Sequence, residues 1–151
     1  MSTTTYRQLT AGEIARLESQ GCTAADWTTV EVGSGFDPAY IRDTRFSGTV
    51  RIGATGAPLP AAECGIPRRS GIYRAALHEV TVGNRVYIRN IGSHIANYTI
   101  RDDAFIENTG TIECTAPTTF GIGLPVATVN EGGGREVPLS PALSAQTAYV
   151  V

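Results

Sequence analysis

From Val82 to Glu113 aliphatic residues recur every six positions, at Val82, Ile88, Ile100, Ile106 and Ile112, with His94 as the polar member of the series. A period of six fits neither the 3.6 of a helix nor a two-residue alternation; it fits a strand that turns a corner every six residues. A second column lies two residues earlier, at Val80, Val86, Gly92, Tyr98, Ala104 and Gly110. Residues two apart along a strand share a face, so both columns are expected to point inward. The pattern predicts an all-β chain wound as a parallel β-helix.

Other elements frame that stretch. Thr10-Ala-Gly-Glu13 has capping-box spacing, with Ile14 and Leu17 on one face and Gly21 as a stop, which predicts a helix over about residues 11–20. Thr23-Ala-Ala-Asp26 repeats the cap signal and predicts a second short helix, with Trp27 stapling the cap to the first coil. From Val30 the alternation returns, and Ile41, Phe46 and Ile52 approximate the six-residue step, with Gly48 and Gly53 at corners. Residues 54–71, rich in Gly and Pro, read as a loop thrown outward. The step continues faintly through Thr118, Phe120, Leu124 and Val126 to Asn130, and a closing helix is expected over Pro138 to Val151, started by Ser140-Pro141. The organisation expected is one domain, residues 1–151. It comprises a helical cap at 1–29, the β-helix at 30–130 with its excursion at 54–71, and a Gly-rich turn and helix at 131–151.

Composition bounds the function. A chain of 151 residues with 42% hydrophobic residues can bury a core. Its formal charge of −2 offers no overall attraction to nucleic acid or to an anionic membrane, although every basic side chain is arginine. Cys22, Cys64 and Cys114 are widely spaced and odd in number, which signals neither a disulfide framework nor a zinc knuckle. Arg7, Glu13, Arg16 and Glu18 interrupt the first twenty residues, which therefore do not read as a secretory signal, and there is no run of 18 apolar residues. A soluble, cytoplasmic protein is expected.

Val82-Gly83 with Val86 resembles the hexad of the left-handed β-helix superfamily of hexapeptide-repeat transferases. The resemblance implies triangular coils of three hexads, which would stack Val82 on Ile100, Ile88 on Ile106 and His94 on Ile112. The left hand is implied by the resemblance alone, since parallel crossovers usually run the other way. Further residues, Tyr6-Arg-Gln-Leu-Thr, Gly21-Cys-Thr-Ala-Ala-Asp-Trp27, Ser70-Gly-Ile-Tyr, Leu77-His78, Ile95-Ala-Asn-Tyr98 and Gly133-Gly-Arg-Glu-Val137, resemble an uncharacterised bacterial family of β-helix proteins labelled as predicted transferases. That family brings no established reaction. Its members are longer, so the chain reads as an N-terminal segment or a compact relative.

Four features can carry chemistry. His78, outward between inward Ala76 and Val80, is the candidate general base, in the role the superfamily's acyltransferases give a histidine in a cleft between subunits; the competing reading is a surface histidine. Arg68, Arg69 and Arg74 are candidate substrate-binding residues, holding phosphate of a sugar nucleotide or acyl-CoA by bidentate hydrogen bonds, with Arg135 as a further candidate. Gly132, Gly133 and Gly134 could turn backbone N–H groups toward a phosphate or form a simple turn. His94 with Tyr98 reads as two polar rings in the interior, satisfied by each other, by backbone or by a trapped water. Carbonic anhydrases on this fold use three histidines and this chain has two, so no metal is expected, and no cofactor beyond a small-molecule substrate. Asn84, Asn90, Asn97 and Asn108 read as corner residues, and Asp102 and Asp103 with Arg101 as a solvated corner. The flat faces of a triangular prism, bearing Tyr87, Ile91, Ile95 and Phe105 outward, predict a homotrimer. A transferase and a non-catalytic scaffold are the two functional classes that remain.

Overall fold

The computed structural model describes residues 5–59, 66–115, 124–127, 136–138, 140 and 144. The chain divides into two compact units, Met1–Cys114 and Thr115–Val151.

The first unit opens with β1 (Tyr6–Gln8) and α1 (Ala11–Ser19). The capping box forms as the spacing predicts: Thr10 Oγ1 accepts from the Glu13 amide at 3.3 Å, and the Glu13 carboxylate accepts from the Thr10 amide at 2.8 Å. Leu17 is fully buried. β2 (Thr23–Ala24) follows. The second cap is one turn later than expected, because the Asp26 carboxylate captures the amide and hydroxyl of Thr28 and starts a 3-10 turn over Trp27–Thr29. Trp27 does act as a staple: its ring lies 6.0 Å from that of Phe46 and its Nε1 donates to Glu18 of α1.

Next come β3 (Val30–Gly33), β4 (Ile41–Ile52), β5 (Pro58–Leu59), β6 (Arg68–Arg69) and β7 (Gly71–Val82). They are followed by β8 (Tyr87–Arg89), β9 (Ile95–Ile100), β10 (Phe105–Glu107) and β11 (Ile112–Glu113). Nine of these strands make one mixed sheet in which only the β1–β3 pairing is antiparallel. The parallel register stacks like on like. Ile41 lies beside Ile72, then Ile88 and Ile106; Phe46 beside Leu77, Ile95 and Ile112; Val32 beside Ile52, Val82 and Ile100. These columns form the core, and most of their members are buried. Burial of a Val, Leu or Ile is worth about 1.5–3 kcal/mol, so each added strand extends the core by a repeated increment.

Corners separate the paired segments. Asp43, Arg74, Asn90 and Asn108 form one line with φ of 48°, 56°, 54° and 55°, and Gly48, Glu79 and Asn97 a second. Asn90, Asn97 and Asn108 thus take the left-handed corners expected of them, whereas at the third line the strained residues are Arg85 and Asp103. Asn84 instead bridges strands there, donating its amide N–H to Asp102 and accepting from the Ala54 amide. Asp102 and Asp103 are therefore tied in, Asp103 by two 2.7 Å bonds from Arg85, and are not merely solvated.

The predicted columns hold for Val82 with Ile100 and for Ile88 with Ile106, but Ile112 pairs with Ile95 and not with His94. The register steps from Tyr87↔Phe105 to Ile95↔Ile112, so the corner between β8 and β9 is one place longer than the corner between β10 and β11. His94 is the residue displaced. It is partly exposed and bonds Ser93 and Glu113, not Tyr98. Ile95 takes the interior place with no exposure, and Ile91 and Tyr87 are also buried, so of the outward apolar residues expected on a flat face Phe105 alone is exposed. Leu77, not Ala76, is the inward neighbour of His78.

The excursion keeps its predicted place, and its two ends are paired. β5 and β6 pair antiparallel, and Gly56 and Ala57 exchange backbone hydrogen bonds with buried Ser70. In the second unit β12 (Pro125–Ala127) pairs antiparallel with β13 (Glu136–Pro138), where a continuing parallel step was expected. The closing helix falls mostly outside the described residues.

Candidate functional site

The excursion brings Ile66 to Arg69 over the outer face of β4, β7 and β8 and encloses a cleft of about 570 Å³. That is a size suited to a small-molecule ligand. Its floor follows from the register: Arg42, Tyr73 and Arg89 are the outward residues next to Ile41, Ile72 and Ile88, and they sit side by side. Arg68, Arg69 and Arg74 join them, so five guanidiniums face one lining carboxylate, Asp43. Gly71 makes room, since a Cβ there would run into the Tyr40 carbonyl and the Tyr73 hydroxyl.

The arginines are not equivalent. Arg68 donates to Glu107 at 2.9 Å, and its guanidinium lies 5.6 Å over the Tyr87 ring and 5.4 Å over Phe105, which is itself stacked on Tyr87 at 4.7 Å. Arg69 lies 6.0 Å over Tyr40 and donates to the Gly56 carbonyl. Arg89 is held loosely by the Tyr87 hydroxyl at 3.5 Å. Among the described residues neither the Arg42 nor the Arg74 guanidinium has a hydrogen-bond or ion-pair partner. Burial holds the Tyr73 phenol above its ordinary pKa, with Tyr87 adding to the effect, so Tyr73 stays a neutral hydrogen-bonding ring in the cleft.

Of the residues singled out from sequence, Arg68, Arg69 and Arg74 are brought together here. His78 is not among the residues lining the cleft: it lies beyond the corner made by Arg74, exposed, with Nδ1 3.0 Å from Ser47 Oγ. Arg135 and Gly132, Gly133 and Gly134 lie outside the described residues. Sequence reasoning missed Arg42, Arg89, Tyr40, Tyr73 and Tyr87. A signal for two of them was present, because Ile41-Arg42 and Ile88-Arg89 repeat an inward aliphatic followed by an outward arginine. Among the described residues no three His, Cys, Asp or Glu side chains converge as metal ligands would, and no helix is long and apolar enough to cross a membrane.

Fold and cleft together define a predominantly β protein with a cationic, aromatic-walled site on its sheet surface. Over residues 6–151 the chain matches the family described as Domain of unknown function (DUF4954), and it belongs to that family. No curated protein and no solved structure matches it.

Proposed function

We propose that the chain is a left-handed parallel β-helix of the hexapeptide-repeat, transferase-like kind whose arginine and tyrosine cleft binds a phosphorylated donor, a sugar nucleotide or an acyl-CoA. The observation that carries this reading is the set of five arginines around one cleft, two of them, Arg42 and Arg74, with guanidiniums unpartnered among the described residues. Guanidiniums grip phosphate bidentately, and the Tyr40, Tyr73 and Tyr87 rings offer surfaces for a planar base. The winding is supported by the parallel register that lays Val82 beside Ile100 and Ile88 beside Ile106, and by left-handed corners at matching positions of successive strands. The hand, a homotrimer and a cytoplasmic location rest on the resemblance and on the sequence. For the homotrimer the apolar face that motivated it has shrunk to Phe105.

His78, the candidate base, is absent from the cleft lining, and this favours a second reading in which the chain is a non-catalytic ligand-binding scaffold. The two separate in one experiment. Melting is followed with UDP-sugar, with CoA and with an acyl-CoA, and turnover is assayed beside it, because a ligand that binds the folded state raises its melting temperature. A shift lost in Arg42→Ala supports the donor cleft. A shift without turnover selects the scaffold, and no shift with any of them removes the donor reading.

A further inference from the structure

A second cluster stands outside that cleft. Ser93 and His94 occupy the corner between β8 and β9. Tyr87 pairs with Gly71 and Ile95 with Leu77, so this corner takes more chain than the stretch of β7 beside it. The added length carries Ser93 to the surface. There Ser93 Oγ lies 2.8 Å from His94 Nδ1, and His94 Nε2 lies 2.9 Å from Glu113 Oε2, contributed by β11 of the next repeat. Both contacts are within the reach that links a nucleophile, its base and the group orienting the base. Ser93 also lines a shallow cleft of about 400 Å³ together with Arg45 and Arg74, neither of whose guanidiniums has a hydrogen-bond or ion-pair partner among the described residues.

We propose that Ser93, His94 and Glu113 form a nucleophile, base and orienting carboxylate acting on carboxylic esters that carry a second, anionic group, which Arg45 and Arg74 hold. In the tautomer protonated at Nε2 the ring donates to Glu113 and accepts the Ser93 hydroxyl at Nδ1. Ser93 Oγ attacks the ester carbonyl carbon, its proton passes to His94 Nδ1, and the carbonyl electron pair moves onto oxygen. Collapse of the adduct breaks the bond to the alcohol, which leaves with that proton. Water then repeats the sequence on the acyl-serine, releasing the carboxylate and restoring the hydroxyl. Glu113 is a positioning residue: it fixes the ring and favours the transient imidazolium. The ring nitrogens are used in the reverse of the familiar serine-protease order, but such triads are defined by geometry and role and not by sequence position. A solvent-exposed chain of hydrogen bonds adds little stability, so it gives the longer corner no structural reason of its own. The Ser93, His94 and Glu113 contacts lie outside the donor cleft, which shares Asp43 and Arg74 with this one, so the adduct on Ser93 can fail while donor binding stands.

The test uses the full chain, a fluorophosphonate probe read by intact mass and peptide mapping, and two chromogenic esters, p-nitrophenyl hemisuccinate and neutral p-nitrophenyl butyrate. A single adduct on Ser93 is expected, absent in Ser93→Ala. Hydrolysis should favour the anionic ester, and Arg45→Ala should erase that preference. Glu113→Gln should lower kcat by on the order of 10²-fold with KM little changed, and Glu113→Asp should recover part of it. Ser93→Thr, which keeps the hydroxyl, guards against reading a folding defect as lost chemistry, with circular dichroism melts run on every variant. A folded protein that takes no adduct on Ser93, or whose ester hydrolysis is the same in Ser93→Ala, overturns the proposal.

Discussion

Arg74 and Asn90 stand side by side at one corner of the fold, Arg74 accepting a backbone bond from the residue after Asn90, and both hold φ near +55°. Asparagine tolerates that left-handed backbone, while an ordinary side chain there costs about 1–2 kcal/mol. Arginine at this corner is thus a local expense, and Arg74 is also one of the residues lining both clefts. Strain kept at a site that faces a cleft points to a role for the side chain. Arg74→Asn should raise the urea midpoint, by up to about 1 kcal/mol of stability, and weaken the binding of phosphorylated ligands. Denaturant melts beside a binding titration would check both signs; a variant that is less stable would show that Arg74 is chosen for packing.

The register between β9 and β11 separates two neighbours that a six-residue period treats the other way round. Ile95 is fully buried and pairs with Leu77 and Ile112, while His94 is partly exposed. Ile95→Ala should therefore cost about 2–5 kcal/mol, as large-to-small changes in a packed core do. His94→Ala should stay within about 0.5 kcal/mol of wild type, as surface substitutions do. Equal losses in chemical denaturation would restore the inward histidine.

Those two residues also mark how far the sequence could be read. Val82, Ile100, Ile88 and Ile106 were legible because the corners between them keep the period, and Asn90, Asn97 and Asn108 because asparagine suits a left-handed corner. A longer corner leaves no trace in hydrophobicity until the next inward residue arrives one place late, and so Ile95 was misassigned. The cleft was half legible. Gly and Pro marked the excursion that carries Arg68 and Arg69, but Arg42, Arg89 and the tyrosines are outward residues, whose partners depend on which segment lies above them. His94 and Glu113 meet only because successive strands stack, across a separation that no local spacing encodes.

At the other end of the first unit, Arg7 and Thr10 hold the Glu13 carboxyl down to about 2, first through the Arg7 guanidinium and then through the Thr10 amide and hydroxyl, against an ordinary 4.5. A carboxyl whose folded pKa lies below its unfolded one stabilises the fold above the unfolded value, and that contribution is lost as pH falls through the folded value. Glu13→Gln should accordingly lower the melting temperature at pH 7, and the gap from wild type should close between about pH 4.5 and pH 2. Melts across that range report it, and a gap that is constant with pH would mean the carboxylate charge is not what holds the cap.

Arg42 and Arg68 make the sharpest contrast within the cleft. Arg68 is committed: it donates to Glu107, both side chains are about one-fifth exposed (20% and 19%), and its guanidinium covers Tyr87 and Phe105. Removing it strands a half-buried carboxylate and uncovers two rings, a loss on the order of 1–3 kcal/mol. Arg42 has no such contacts among the described residues, so Arg42→Ala should leave the melting temperature of the free protein close to wild type. A phosphate held by its guanidinium would lose a charge-assisted hydrogen bond, about 1.5–3 kcal/mol, which is roughly a 10- to 150-fold weaker Kd. The salt dependence of binding should fall as well, because one fewer cation then meets the charge of the ligand. Isothermal titration with a sugar nucleotide or CoA at two ionic strengths, beside melts of both variants, would measure all of this. If Arg42→Ala destabilises the free protein as much as Arg68→Ala does, or binds the ligand with unchanged affinity and salt slope, the free guanidinium belongs to the fold and the donor phosphates are not bound at Arg42.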